Sequence, residues 1–214
     1  MADKIAEFLL NLTHSNLLSI LLISAFPLIE LKGAIPIGAK LGVSLWQTAG
    51  LAYLGSTLVC IPVFFLLIPI FNLLKKIPFI KRFIEKVESV LYGKAKKIAL
   101  KAKGVDDEKY ARRLMARALL IFVAVPLPVT GVWTGTAIAV FLGFKFKEAV
   151  FSLAAGNLIA GAIITLLTYF FKDYVDYIIL GLAVLAVVML VFFIVKVIIS
   201  KPENNDDYKK NDEK

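Results

Sequence analysis

The chain has 214 residues, of which 59% are hydrophobic and 19% charged, with a formal net charge of +9 and a mean hydropathy of +0.82. A soluble domain is about half apolar and about a quarter charged. The apolar excess lies in runs of roughly 20 residues, the length that an α-helix needs to cross a bilayer. These values exclude a soluble globular enzyme and a disordered chain.

The net charge is confined to one part of the chain. Residues 72–117 contain 14 Lys or Arg and 5 Asp or Glu, and the remaining residues contain 11 of each sign. Because basic residues favour the cytoplasmic side of a membrane, we expect this segment to be cytoplasmic and to contact anionic membrane lipids rather than nucleic acid. The pattern over 77–103 predicts a basic amphipathic helix on the membrane surface.

The N-terminal part predicts a broken membrane segment. Residues 4–14 predict a short amphipathic helix at the interface, and the apolar run 16–29 is too short to cross a bilayer. Two prolines and two glycines follow between Pro27 and Gly38. Broken backbone at membrane depth persists only where protein or a water-filled cavity satisfies it, which predicts a re-entrant hairpin. Residues 48–74 then predict a membrane span with bends at Pro62 and Pro69.

The C-terminal part repeats this order. The apolar block 118–142 is interrupted by prolines and glycines between Pro126 and Gly135, which predicts a second re-entrant hairpin. Residues 148–171 and 177–199 predict two uninterrupted spans. Residues 200–214 are polar and predict a disordered tail.

Matching residues indicate an internal repeat. The run Leu21–Leu28 parallels Leu119–Leu127, with its proline at an offset of 99 residues. Gly42 and Gly55 match Gly143 and Gly156 at an offset of 101 residues, and Ser56 then matches Asn157. Interrupted segments in corresponding positions of two halves point to a transporter binding site.

The predicted fold is therefore an all-α polytopic membrane protein with two inverted repeats, each a re-entrant helical hairpin plus a transmembrane helix. Repeat one covers 1–74, the cytoplasmic basic amphipathic segment 75–117, repeat two 118–171, an extra C-terminal span 172–199 and the tail 200–214. Charge places the basic segment and the C-terminus on the cytoplasmic side, with the protein multi-pass in the cell membrane. The first hairpin then opens outward and the second inward, and the side of the N-terminus stays open.

Two motifs carry a family resemblance. The runs 30–38 (ELKGAIPIG) and 126–135 (PLPVTGVWTG) resemble the small multidrug export protein family of prokaryotes, and the shared layout covers nearly all of the chain except the tail. The resemblance implies export of small compounds. That family is distantly similar to the DedA superfamily, which implies re-entrant inverted repeats and flipping of lipids such as undecaprenyl phosphate. Glu30 fits the acid of the DedA-type motifs, whereas the arginines of this chain precede the second hairpin.

Glu30 is the first candidate for chemistry. A carboxylate at membrane depth is costly and by default marks an ion or substrate path, which suits proton coupling; the alternative is a salt bridge to Lys32. Lys32 could bind an anionic headgroup or extend to the surface. The glycines could expose amides that hold an anion at half-helix N-termini, or pack helices through G-x-x-x-G pairs that permit a homodimer. The predicted substrate or proton site comprises Glu30, Lys32, Gly33, Pro36, Gly38, Pro126, Pro128, Thr130, Gly131, Trp133, Thr134 and Gly135, with Arg117 as a candidate anion contact.

The sequence favours transport over catalysis. It contains no P-loop or dinucleotide fingerprint, and one cysteine and one histidine are too few for a zinc site, so neither a cofactor nor an enzymatic activity is predicted. The leading function is export of small amphipathic or cationic compounds without ATP hydrolysis, coupled to protons. The alternatives are flipping of an anionic lipid such as undecaprenyl phosphate and a non-transporting membrane scaffold.

Overall fold

The computed structural model describes residues 13–27, 29–78, 81, 108–127 and 130–199. Most of the interfacial helix predicted over 4–14, most of the basic helix predicted over 77–103, Pro128 and the tail 200–214 lie outside these residues. All regular elements of the described chain are helical, which confirms the predicted all-α class.

The first half forms two short helices and a long bent one. Helix α1 (Asn16–Ala25) begins at Ser15, whose hydroxyl accepts a hydrogen bond from the Leu18 amide at 3.5 Å. The break at Pro27 follows, and α2 (Glu30–Lys40) then returns with Pro36 inside it. The long helix comprises α3 (Leu45–Leu58) and α4 (Cys60–Leu74), with a break at Val59.

That break lies three residues before one of the predicted bends. Pro62 has no backbone N–H to donate to the carbonyl of Leu58, and its ring crowds that carbonyl, so the helix is interrupted at Val59. Pro69 instead lies within α4.

The second half has the same order of elements. Helix α5 (Glu108–Ala124) ends at the second break, α6 (Val132–Phe141) follows it, and α7 (Phe146–Phe170) is a single long helix. Gly42 and Gly143, which close the short helices α2 and α6, both have positive φ, a conformation that glycine adopts without steric cost. A 3₁₀ turn (Lys172–Tyr174) and α8 (Val175–Ile199) complete the described chain.

Each half contributes a helix to the hydrophobic core of the other. In the first core, residues of α1, α2 and α3 pack with Ala160 and Ile164 of α7. In the second core, residues of α5, α6 and α7 pack with Cys60 and Phe64 of α4. The two halves are therefore interlocked and bury their short broken helices between long ones.

Close helix crossings accompany these cores. A methyl group on Gly55 would overlap the Leu21 carbonyl oxygen, and one on Gly156 would overlap the Leu120 carbonyl oxygen. In both halves a glycine of the long helix thus lets the backbone of the first helix, α1 or α5, pack closely against the backbone of the long helix.

The long helices present apolar side chains outward. Large hydrophobic residues such as Leu66, Phe151 and Leu166 are more than half exposed. Two helices of the described chain, 45–74 and 146–170, are long and apolar enough to cross a membrane. An apolar exterior over buried polar groups is the distribution expected of a protein surrounded by lipid.

Candidate functional site

The two chain breaks meet inside the protein. Glu30 begins α2 with φ of +48°, and its side chain lies against the N-terminus of α6 from the other half. The Trp133 amide donates to Glu30 Oε1 at 3.2 Å. A carboxylate at a helix N-terminus is stabilised by the free amides and by the helix dipole. The amide at the N-terminus of α6 thus bonds the protein's own Glu30, whereas the sequence predicted that such amides would hold a bound anion.

Gly131 provides the space for this carboxylate. It caps α6, and a methyl group built on it would overlap both oxygens of Glu30. Gly131 lies 101 residues after Glu30, the offset at which the predicted repeat matches Gly42 with Gly143. One half thus supplies the acid and the other supplies the gap that receives it.

Lys32 reaches the same break from the first half. Its Nζ donates to the carbonyl oxygens of Leu127 at 2.8 Å and Thr130 at 2.6 Å. It also lies 3.6 Å from Glu30 Oε2, and both side chains are less than a tenth exposed. The ammonium therefore pairs with carbonyls that the interrupted helix leaves free, which a buried backbone requires.

Trp133 makes the reciprocal contact. It lies 101 residues after Lys32, the offset of the predicted repeat. Its indole Nε1 donates to the carbonyl oxygen of Ala25, at the end of α1, at 3.0 Å. The Thr130 hydroxyl donates within the second break, 2.8 Å from the carbonyl oxygens of both Val125 and Leu127. Each break thus receives a donor from the other half.

A second polar contact joins the halves away from the breaks. The buried Asn157 of α7 donates from Nδ2 to the hydroxyls of Ser56 at 2.7 Å and Thr57 at 2.8 Å. Asn157 thus bonds a neighbouring helix. Its partner Ser56 is the residue that the predicted repeat matches with it.

The structure brings Glu30, Lys32, Thr130, Gly131 and Trp133 together. The other predicted residues lie around this group: Gly33 packs on Ile29, Gly38 on Ile20 and Thr48, and Gly135 on Val123 and Leu153, while Pro36 is buried, Pro126 and Thr134 are half-buried and Arg117 is exposed on α5.

The glycine pairs pack within the chain. Gly38, Gly131 and Gly135 each contact another part of the same molecule, whereas Gly42 has open space around it. Three of the four glycines with G-x-x-x-G spacing are thereby used inside the protein.

Sequence reasoning missed the carbonyl partners of the site. The oxygens of Ala25, Leu127 and Thr130 accept the donors described above, and backbone groups carry no side-chain signal. The prolines after Ala25 and beside Leu127 are the sequence signal for these partners, because a helix interrupted by proline has backbone carbonyls without a partner in the helix. Among the described residues, no group of three or more His, Cys, Asp or Glu could hold a metal ion.

Comparison with known families identifies the class of protein. Residues 30–163 match the family model described as "Putative small multi-drug export protein". The match covers more than half of the chain, begins at Glu30 directly after the first break and includes the second break, so the chain belongs to this family. It is thus a member of an export-protein family with helices able to cross a membrane. Comparisons with curated proteins and with solved structures gave no match.

Proposed function

We propose that this protein is a membrane transporter that exports small cationic amphipathic compounds in exchange for protons, without ATP hydrolysis. The observation that carries the proposal is the Glu30 carboxylate, buried between the two halves and held by groups from both. A buried intramembrane acid by default marks an ion path. Family membership supports export, and the helices 45–74 and 146–170 support a membrane location.

The contacts of Glu30 suggest how a proton would act. In the structure the Glu30 carboxylate accepts a hydrogen bond from the Trp133 amide and forms an ion pair with Lys32. Hydrogen bonds to a charged group are about twice as strong as neutral ones, so protonation of Glu30 would weaken its hold on α6. A cationic substrate would compete with Lys32 for the same carboxylate. Proton and substrate would therefore bind in alternation at one group.

Two contacts between matched residues support the inverted repeat. Glu30 lies against Gly131, and Ser56 accepts from Asn157; both pairs have the repeat offset of 101 residues. A two-fold relation brings residues near its axis against their own counterparts. On this proposal the axis passes through both contacts, and α1–α2 and α5–α6 are re-entrant hairpins that meet inside the membrane.

The geometry makes lipid flipping the weaker candidate. Lys32 is engaged by two backbone carbonyls, the α6 N-terminus already holds Glu30, and Arg117 lies exposed on α5. Lys32 and the α6 N-terminus, which would have bound a lipid phosphate, thus already have partners within the protein, and Arg117 lies on the surface. The remaining alternative is a non-transporting scaffold, in which the hydrogen bonds at the two breaks would never open.

Proteoliposomes test the proposal. With a transmembrane pH gradient, vesicles carrying the protein should move a cationic dye, and Glu30→Gln should abolish the gradient-dependent part. Glu148→Gln is the matched control, because that acid is partly exposed and pairs with Arg112 at 3.2 Å near the start of α7; it should transport like the wild type. Dye movement that is independent of the gradient, or unaffected by Glu30→Gln, contradicts the proposal. Headgroup accessibility of labelled undecaprenyl phosphate in the same vesicles tests flipping, and a scaffold would show neither activity.

A further inference from the structure

A cavity of about 390 Å³ lies away from the central site, where α2 ends beside the junction of α7 and α8. Its lining combines both signs of charge with apolar side chains. The charged members are Lys40, Lys172, Asp173 and Asp176, and the apolar members include Val43 and Leu45.

The charges stand on different elements around the opening. Lys40 at the end of α2 forms an ion pair with Asp176 in the first turn of α8. Lys172 and Asp173 come from the 3₁₀ turn between α7 and α8. The opening therefore presents two cationic and two anionic groups with no net charge.

The other half of the protein closes the corresponding position. At the repeat offset of 101 residues, Lys40 corresponds to Phe141 and Lys172 to Phe71. Those two phenylalanine rings contact each other edge to face, with centroids 5.9 Å apart. Two residues that line the open charged cavity thus have, at the repeat offset, counterparts that form an aromatic contact. The repeat does not require this difference, so the cavity is a distinct feature of the α2–α8 end.

We propose that this cavity binds the head of a zwitterionic amphiphile, with its phosphate toward the lysines and its ammonium toward the aspartates. Oppositely charged groups around one opening match a head that carries both charges, whereas a purely anionic head would meet two carboxylates. The apolar lining accommodates the start of an acyl chain. The 3₁₀ turn joins two apolar helices, which places the cavity at headgroup level; this step rests on the membrane placement proposed above.

The chemistry fits a membrane phospholipid with a phosphoethanolamine head or a free zwitterion of the same kind. Native mass spectrometry of the full chain in detergent separates the two. We expect one phosphatidylethanolamine to be retained in preference to phosphatidylglycerol. Retained lipid that soluble phosphoethanolamine cannot displace assigns the site to the membrane lipid, and equal binding of phosphoethanolamine alone assigns it to the soluble zwitterion.

Two double variants decide whether the cavity is responsible. Lys172→Ala with Asp173→Ala leaves the Lys40–Asp176 ion pair in place. It should weaken retention about 25-fold, since each of the two charged groups near the membrane surface contributes about a factor of five. Lys147→Ala with Glu148→Ala removes the same charges near the start of α7 and should leave retention unchanged. Equal retention of the two lipids, or an unchanged Lys172/Asp173 variant, overturns the proposal. Neither result bears on dye transport, so this site and the exporter function fail separately.

Discussion

Gly131 determines whether the Glu30 carboxylate can reach the amides of α6. The acid comes from one half of the chain and the gap from the other. The sequence marked both residues as candidates, because an acid amid apolar residues and a glycine in a break are visible in the pattern. Their contact could not be predicted, since it depends on how two segments about 100 residues apart pack.

We expect Gly131→Ala to destabilise the protein by about 1–3 kcal/mol, the usual cost of adding a methyl group to a packed site. The methyl would displace the carboxylate from the Trp133 amide. The measurement is SDS-induced unfolding in mixed micelles, followed by circular dichroism. In a Glu30→Ala background the same substitution should cost much less, because the clashing group is gone.

Gly50→Ala serves as the control, because an added methyl group there would meet no atom within 4 Å. It should not lower the free energy of unfolding, because alanine favours a helix interior more than glycine does. Equal effects of Gly131→Ala with and without Glu30 would contradict the contact.

At the scale of the helices, much of the pattern was predictable. Both predicted breaks occur, because proline and glycine act locally, but they are shorter than predicted: α2 already begins at Glu30 and α6 at Val132, so Pro36 lies inside a helix. The bend in the long helix was predicted at Pro62 and lies at Val59, since proline disturbs the turn that precedes it. The packing of α7 in the first core and of α4 in the second could not be predicted. The sequence of each half shows which residues are apolar but not which helix of the other half they contact.

The close crossings give a prediction for the helices. Gly55→Ala and Gly156→Ala should each destabilise by about 1–3 kcal/mol, because the added methyl would meet a backbone carbonyl of α1 or α5. The two losses should be of similar size if the two crossings are equivalent. Thermal unfolding in detergent measures them.

Gly181→Ala is the matched control, because its surroundings on α8 are open. It should not lower the midpoint temperature of unfolding. A large loss at Gly55 with none at Gly156 would show that the two crossings are not equivalent.

At the scale of the whole molecule, the basic segment predicts the orientation in the membrane. The net charge of residues 72–117 predicts that this part faces the cytoplasm. Single cysteines in a Cys60→Ala background test it with a membrane-impermeant maleimide. A cysteine replacing Asp173 should be labelled in intact cells, and one replacing Lys147 only after lysis. The reverse pattern would show that the protein is oriented the other way.

The central claim is that Glu30 exchanges a proton for a cationic substrate. The most direct test is proton release when tetraphenylphosphonium is added to the purified protein in weakly buffered detergent, repeated across pH. The wild type and Glu148→Gln should release up to about one proton per bound cation in the pH range where the Glu30 carboxylate is protonated, and Glu30→Gln should release none. The account is contradicted if Glu30→Gln releases as many protons as the wild type, or if the wild type binds the cation with equal affinity at every pH.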